Sequence, residues 1–321
     1  MPRLDEVRYP SFSGHESFPF RHAWLKKGFD SLEDPEFFTR PDALVELGVG
    51  KNMVFSIRHW MEVFGLAEPT GDQGQGRAIL LGRTDLADRL LSEDGWDPYL
   101  EDDGTLWLLH RKLVTAREKA TTWWWAFNRP STATVRRHGL TGEILAAAEA
   151  NAWRTSKNTV KRDVDCFIRT YLATTSGRAS QEDAISCPLC ALGLLQPTTD
   201  RDEFLMSYGW QPSLPDATFR WGLAEYLQKA VHASGAEGGT VSLDRLLYDD
   251  GAPGRVFRLC EEALIARLAG LSDATHGAWV YDETVGLRQL VVHRRVPAMD
   301  WLEQYYSREP VRLGEIKGGV A

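Results

Sequence analysis

The segment "GHESFPFRHAW" (14–24) sets two histidines, a glutamate and an arginine close together. His15, with Glu16 beside it, has the residue types of a general base or a metal ligand. Adjacent residues of an extended strand point to opposite faces, so the two need not share a site. The alternative is an ordered N-terminal segment whose polar side chains are hydrogen-bonded. In "DPYLEDDGTLWLLHRKL" (97–113), Asp97, Glu101 and Asp102 supply the carboxylate oxygens that a hard cation such as magnesium or manganese takes. The same acids also suit the start of a helix, where the macrodipole favours negative charge. The candidate catalytic set is therefore His15, Glu16, Asp97, Glu101 and Asp102, with the last three as the candidate metal ligands.

Three further motifs carry less. "GEIKGG" (314–319) holds a Glu-x-Lys pair of the kind found in metal-dependent nucleases, with Asp300 upstream as a third group. "CPLC" (187–190) offers two thiols, with Cys166 and Cys260 elsewhere. No second paired ligand motif accompanies it, so buried structural cysteines are expected and zinc is not. "VELGVGK" ends in the Gly-Lys of a phosphate-binding loop, but Asn52 follows where Ser or Thr is needed. Val45 also stands in place of the leading glycine, and no strand precedes. No nucleotide cofactor is expected.

These groups have to be held by elements that read mostly as helices. From Lys51 on, Met53, Val54, Ile57, Trp60, Met61 and Phe64 gather on one face at 100° per residue. Lys51, Asn52, Phe55, Arg58, His59 and Glu62 fall on the other. Asn52 is the expected N-cap and Gly65 the stop, and the preceding helix ends at Leu47-Gly48. A short helix, a glycine turn and an amphipathic helix with basic and amide groups near its start resemble a helix-turn-helix. A second such helix, "TSKNTVKRDVDCFIRTY" (155–171), crowds Lys157, Asn158, Thr159, Lys161 and Arg162 at its start. Its apolar stripe is Val160, Val164, Phe167, Ile168 and Tyr171. The candidate DNA-binding residues are Lys51, Asn52, Arg58, His59, Lys157, Asn158, Thr159, Lys161 and Arg162; a solvated basic face is the alternative.

Helix, turn, helix and hairpin follow one another over 41–82, and more faintly over 141–195 and 217–294. The expected fold is mainly α with small β-hairpins, built from multiple winged helix-turn-helix-like units. The expected division is an N-terminal domain, 1–140, and a C-terminal domain, 141–321, with one or two further units.

The chain has 321 residues, of which 43% are hydrophobic and 26% charged, and a formal net charge of −8. This balance fits a globular protein and argues against non-specific adhesion to nucleic acid or anionic lipid. Charge is uneven, however. Acids dominate 85–103, and bases (Arg111, Lys112, Arg117, Lys119, Arg129, Arg136, Arg137) dominate 107–138. A basic patch on an acidic protein is enough to meet a phosphate backbone. The N-terminus has no apolar signal region and no run approaches the ~18 apolar residues of a membrane span. A cytoplasmic protein without a membrane partner is expected. The run Trp123-Trp124-Trp125 reads as core, with partner docking as the alternative.

Read in order, "FSGHESFPFRHAWLKK" (12–27), "ELGVGKNMVFSIRHW" (46–60), "DPYLEDDGTLWLLHRKL" (97–113), "ATTWWWAFN" (120–128), "TVKRDVDCFIRTY" (159–171), "CPLCALGL" (187–194), "PGRVFRLCEEAL" (253–264) and "DETVGLRQL" (282–290) resemble the SspB-like family over nearly the whole chain. That family was formerly a domain of unknown function. Its members are the DNA-nicking component of single-strand phosphorothioation systems, which act in DNA modification and anti-phage defence. The resemblance implies a metal-dependent endonuclease acting on double-stranded DNA, opening one strand so that sulfur can replace a non-bridging phosphate oxygen. It implies as partners a cysteine desulfurase, an ATP-pyrophosphatase and an ATPase, and leaves a homodimer open. It carries no established catalytic residues onto this chain. The alternative function is a non-catalytic DNA-binding scaffold or regulator of the sulfur-transfer enzymes.

Overall fold

A computed structural model describes residues 10–73, 79–129, 133–172, 187–231, 236–284 and 286–307. The chain divides into two units, one of residues 1–214 and 244–265 and the other of residues 215–243 and 266–321. This division differs from the expected boundary at 140. A cut there would pass through α7 (Arg137–Ala150), which runs directly on from β3 (Thr134–Arg136).

The first unit opens with α1 (His22–Ser31), α2 (Ala43–Leu47) and α3 (Lys51–Val63), followed by the antiparallel hairpin β1 (Ala67–Gln73) and β2 (Ile79–Arg83). Gly48 ends α2 with φ 64, a left-handed cap that glycine adopts without a Cβ penalty. Gly50 is the N-cap of α3, so Lys51 and Asn52 are its first two helical residues and Asn52 is not the cap. Next come α4 (Asp85–Leu91), α5 (Asp103–Thr115) and α6 (Thr121–Asn128). Every residue of α6 is buried, which fits a helix apolar all round. Trp123, Trp124 and Trp125 are thus core rather than a docking surface.

After β3 and α7 come α8 (Lys157–Tyr171), β4 (Leu195–Pro197) and β5 (Glu203–Met206). Their sheet has the order β3-β5-β4, all antiparallel, with Val135 opposite Phe204 and Leu195 opposite Met206. Farther along are α9 (Asp216–Ala230), β6 (Gly239–Ser242), α10 (Leu243–Tyr248), α11 (Pro253–Val256), α12 (Glu261–Ala269), α13 (Leu271–Ala274), β7 (Trp279–Thr284), β8 (Leu287–Val292) and α14 (Ala298–Tyr306). In the second unit α14 packs on α9, Trp301 lies 6.3 Å from Trp279, and the sheet order is β6-β8-β7.

The expected mainly helical chain is therefore mixed α/β, with three small antiparallel sheets among the described residues. The difference comes from β3 and β6. Each precedes a run of helices and pairs with the last strand that follows them, turning a hairpin into a three-stranded sheet. These strands are too short to show a period of two. Among the described residues no helix is long and apolar enough to cross a membrane.

Candidate nucleic-acid interface

The segment before α1 is tightly turned, with positive φ at Ser13, Glu16 and Ser17. The turn carries His15 into the core, where it is 1% exposed, and leaves Glu16 outside. His15 Nε2 lies 2.7 Å from Asp163 Oδ1 on α8, and the Ser17 N–H donates to Nδ1 at 3.0 Å. The Ser13 N–H also donates to Asp163 Oδ1, at 2.6 Å. Burial opposes charge on His15, while Cys166 and Asp163 favour it and raise its pKa to about 10. A ring charged at neutral pH would carry a proton on both nitrogens, but the Ser17 N–H points at Nδ1 and needs a lone pair there, so the geometry overrides that tendency and the ring is neutral with its proton on Nε2. Both ring nitrogens are then committed. His15 has no lone pair for a substrate or metal, and Glu16 does not join it.

His59 corrects a second expectation. Its Nε2 is buried without a partner, and the ring packs 5.4 Å from Trp60 and 6.0 Å from His15. A Cβ on Gly14 would stand 2.4 Å from His59 Nδ1, so any larger residue there has to displace the ring. Burial lowers the His59 pKa to about 3. This ring faces the core, not a DNA groove.

The acids at 97–102 hold a loop together. Asp97, 7% exposed, accepts from the Glu101 N–H at 2.9 Å and the Asp102 N–H at 3.0 Å. Asp102 Oδ1 caps α5, accepting from the Gly104 N–H at 2.7 Å and the Thr105 N–H at 3.3 Å. Glu101 is exposed. The carboxylates of Asp97 and Asp102 answer backbone donors in place of converging on a cation. Among the described residues no three His, Cys, Asp or Glu side chains are grouped to hold a metal. These acids do not fit the magnesium or manganese site expected of them. Glu315 and Lys317 of "GEIKGG" lie outside the described residues.

Cys166 and Cys187 are buried, and Cys190 and Cys260 are half-buried. Burial pushes the Cys187 thiol well up, and that of Cys190 up to about 11, so both stay protonated. Cys190 Sγ faces the Thr170 carbonyl at 3.5 Å.

What remains is the basic surface of α8. Ser156 caps the helix, accepting from the Thr159 N–H at 3.1 Å. Val160, Val164, Phe167, Ile168 and Tyr171 are buried as their spacing requires. Lys157, Asn158, Lys161 and Arg162 are exposed, and Thr159 is half-buried. The helix's acids are engaged elsewhere: Asp163 by His15, and Asp165 by Arg137 of α7. Lys157, Lys161 and Arg162 therefore stand without an acidic partner among the described residues. Exposed Arg154, just before the helix, extends the patch and was not singled out by its spacing. On α3, Lys51 and Asn52 are exposed with Lys51 over the Phe55 ring at 5.9 Å, while Arg58 pairs with Glu62 at 2.9 Å.

Three comparisons bear on this chain. No curated protein matches it. The crystal structure of magnesium ion-bound SspB aligns with a TM-score of 0.86 and 34% identity, covering 97% of this chain and 92% of that one. A second SspB crystal structure gives a TM-score of 0.85 at 34% identity and the same coverage. The profile of the family DUF4007, proteins of unknown function, matches residues 12–306. At this extent the chain belongs to the DUF4007 family and is similar along nearly its whole length to SspB.

Proposed function

We propose that this protein is the DNA-binding, strand-opening component of a single-strand phosphorothioation system, acting with a cysteine desulfurase, an ATP-pyrophosphatase and an ATPase. The observation that carries the reading is α8, whose Lys157, Lys161 and Arg162 project from an amphipathic helix without acidic partners among the described residues. The element order α6-β3-α7-α8-β4-β5, with β5 in the middle of the sheet, supports reading this segment as a winged helix-turn-helix. In that motif the second helix of the pair enters the major groove, and here it is α8. Asn158 near its start suits an adenine edge, and the cations suit phosphates. The α2-turn-α3 pair followed by the β1-β2 hairpin supports a second, smaller contact through Lys51 and Asn52.

Strand opening needs an activated water and a stabilised 3′-oxygen, chemistry that magnesium or manganese supplies when bound. A magnesium-bound form of SspB supports testing that ion first. Asp97 and Asp102 are assigned to loop closure and capping in this reading, not to the metal. That assignment also favours the second reading, a DNA-binding scaffold for the sulfur-transfer enzymes. One experiment separates the two. Supercoiled plasmid is incubated with the protein and magnesium or manganese, with and without chelator. Chelator-sensitive open circles support the nickase, and salt-dependent retention without open circles supports the scaffold. Failure to bind duplex DNA at low salt sinks both.

A further inference from the structure

Away from α8, the first unit carries a cluster of exposed aromatics that the DNA-binding reading does not use. Tyr208 is 53% exposed, Trp210 61% and Tyr248 54%. Exposed apolar side chains are ordinary when scattered singly, but gathered into one patch they mark an interaction site. Tyr208 and Trp210 flank Gly209, whose N–H donates to the Arg258 carbonyl at 2.9 Å and whose carbonyl accepts from the Cys260 N–H at 3.2 Å. This bridge fixes the extended segment, so residues 208 and 210 are on one side of it. The rings are thus held on a rigid support.

Arg258 gives the cluster its charge. It is 7% exposed, holds a left-handed φ of 54°, and sets its guanidinium 5.5 Å from the Tyr208 ring. Its Nε donates to the Ser207 carbonyl at 3.2 Å, and no carboxylate among the described residues pairs with it. Burial lowers its pKa to about 10, which still leaves it charged at neutral pH. A cation so deeply set and unpaired is costly unless an anion reaches it from outside. Arg255, three residues before Arg258, donates from Nε to the Tyr248 carbonyl at 3.0 Å, which sets Tyr248 beside the same turn; burial, then Tyr248 and Cys260, raise the Tyr208 pKa, and Glu262 is an acid nearby. A shallow groove of about 440 Å³ runs along Leu205, Met206, Ser207, Tyr208, Trp210 and Gln211. That volume falls within the range of small-ligand sites and holds a nucleobase.

We propose that Tyr208, Trp210, Tyr248 and Arg258 form a stacking site for unpaired bases of single-stranded DNA, with Arg258 facing a backbone phosphate. Open aromatic faces beside an unpaired arginine are the combination that takes bases without reading their sequence. A duplex hides its base faces, so the site takes only bases that have left the stack, as where a strand end frays beside an opened phosphodiester. The inference rests on the DNA-directed reading above but uses different residues, so the two fail separately.

The test is fluorescence anisotropy of a labelled oligothymidylate and of a labelled duplex, using the full chain. Tyr208→Ala and Trp210→Ala are each expected to weaken oligothymidylate binding about tenfold, with duplex binding changed less than about twofold. Trp210→Phe, which keeps a ring, is expected to restore most of the loss. An unchanged oligothymidylate affinity in the double variant overturns the site and assigns the face to a protein partner. Failure of the unaltered protein to bind oligothymidylate overturns it as well. Loss of duplex binding in Lys157→Glu/Lys161→Glu with oligothymidylate binding intact supports two separate sites. Failure of the unaltered protein to bind duplex, with the expected oligothymidylate results, overturns only the role given to α8.

Discussion

Asp163 Oδ1 accepts the Nε2–H of His15 at 2.7 Å inside the core, joining the N-terminal turn to the middle of α8. The pair removes an acid from the helix that carries Lys157, Lys161 and Arg162. A residue with the credentials of a catalytic base instead helps keep the outer face of α8 basic.

Asp163→Ala should leave the His15 Nε2–H and the Ser13 N–H without an acceptor. Each unsatisfied buried donor costs about 1–3 kcal/mol, so a loss of roughly 3 kcal/mol is expected in urea unfolding. Proteolysis within residues 10–20 should quicken in the same variant. A loss below about 0.5 kcal/mol would show that the turn is held by other contacts.

Gly14 and His59 should behave as a coupled pair. Gly14→Ala places a methyl 2.4 Å from His59 Nδ1 and should cost about 1–3 kcal/mol by overpacking. His59→Ala removes the obstruction, so the double variant should be more stable than the sum of the single losses implies. Additivity within about 0.3 kcal/mol would mean that the ring is free to move away.

Stability should fall as the solution is acidified from pH 6.5. Burial holds the pKa of His110 down at about 4 and that of His59 down at about 3. His110 donates through Nε2 to the Val256 carbonyl at 2.8 Å and accepts the Tyr171 hydroxyl at 2.8 Å, which suits the neutral ring. Below 6.5 the unfolded chain takes up protons that the folded chain refuses, so the contribution is complete above that pH and lost beneath it. Each ring contributes a slope of up to about 1.4 kcal/mol per pH unit. Urea midpoints across pH 7.5 to 5 should show the decline, and His110→Gln should flatten it.

Asp97→Asn and Asp102→Asn distinguish a capping role from a metal-binding one. Asp102→Asn keeps an oxygen to accept from the Gly104 and Thr105 N–H groups and should hardly change stability, whereas Asp102→Ala, which removes the cap, should lower it by about 1 kcal/mol. Any nicking per folded molecule should stay the same for both asparagine variants. A collapse of nicking at unchanged stability would return these acids to the chemistry.

Lys157→Glu/Lys161→Glu should abolish duplex retention at moderate salt and leave the unfolding midpoint within about 0.5 kcal/mol. Each lost phosphate contact lowers the slope of log affinity against log salt by about 0.9, so replacing one lysine at a time should reduce it stepwise. An unchanged slope in both single variants would place the DNA elsewhere.

The sequence by itself determined the helices and their inward faces. Periodicity alone picked out Val54, Ile57 and Trp60 on α3 and Val160, Val164 and Phe167 on α8, because burial of an apolar stripe needs no distant partner to be specified. It also determined the exposure of Lys157, Lys161 and Arg162, which lie opposite that stripe. Tertiary structure alone decided where the polar groups point. His59 falls on the outer arc of its helical wheel, yet Gly14 lies across it and makes it interior. His15 meets Asp163 across a separation no spacing rule covers. Asp97 and Asp102 look like metal ligands until the backbone N–H groups they accept are in place. Arg258 reads as one cation among many, and only its burial beside Tyr208, without a carboxylate, sets it apart. Hydrophobic pattern is a local property of the chain, whereas the role of a polar group is fixed by whatever the fold brings to its donors and acceptors.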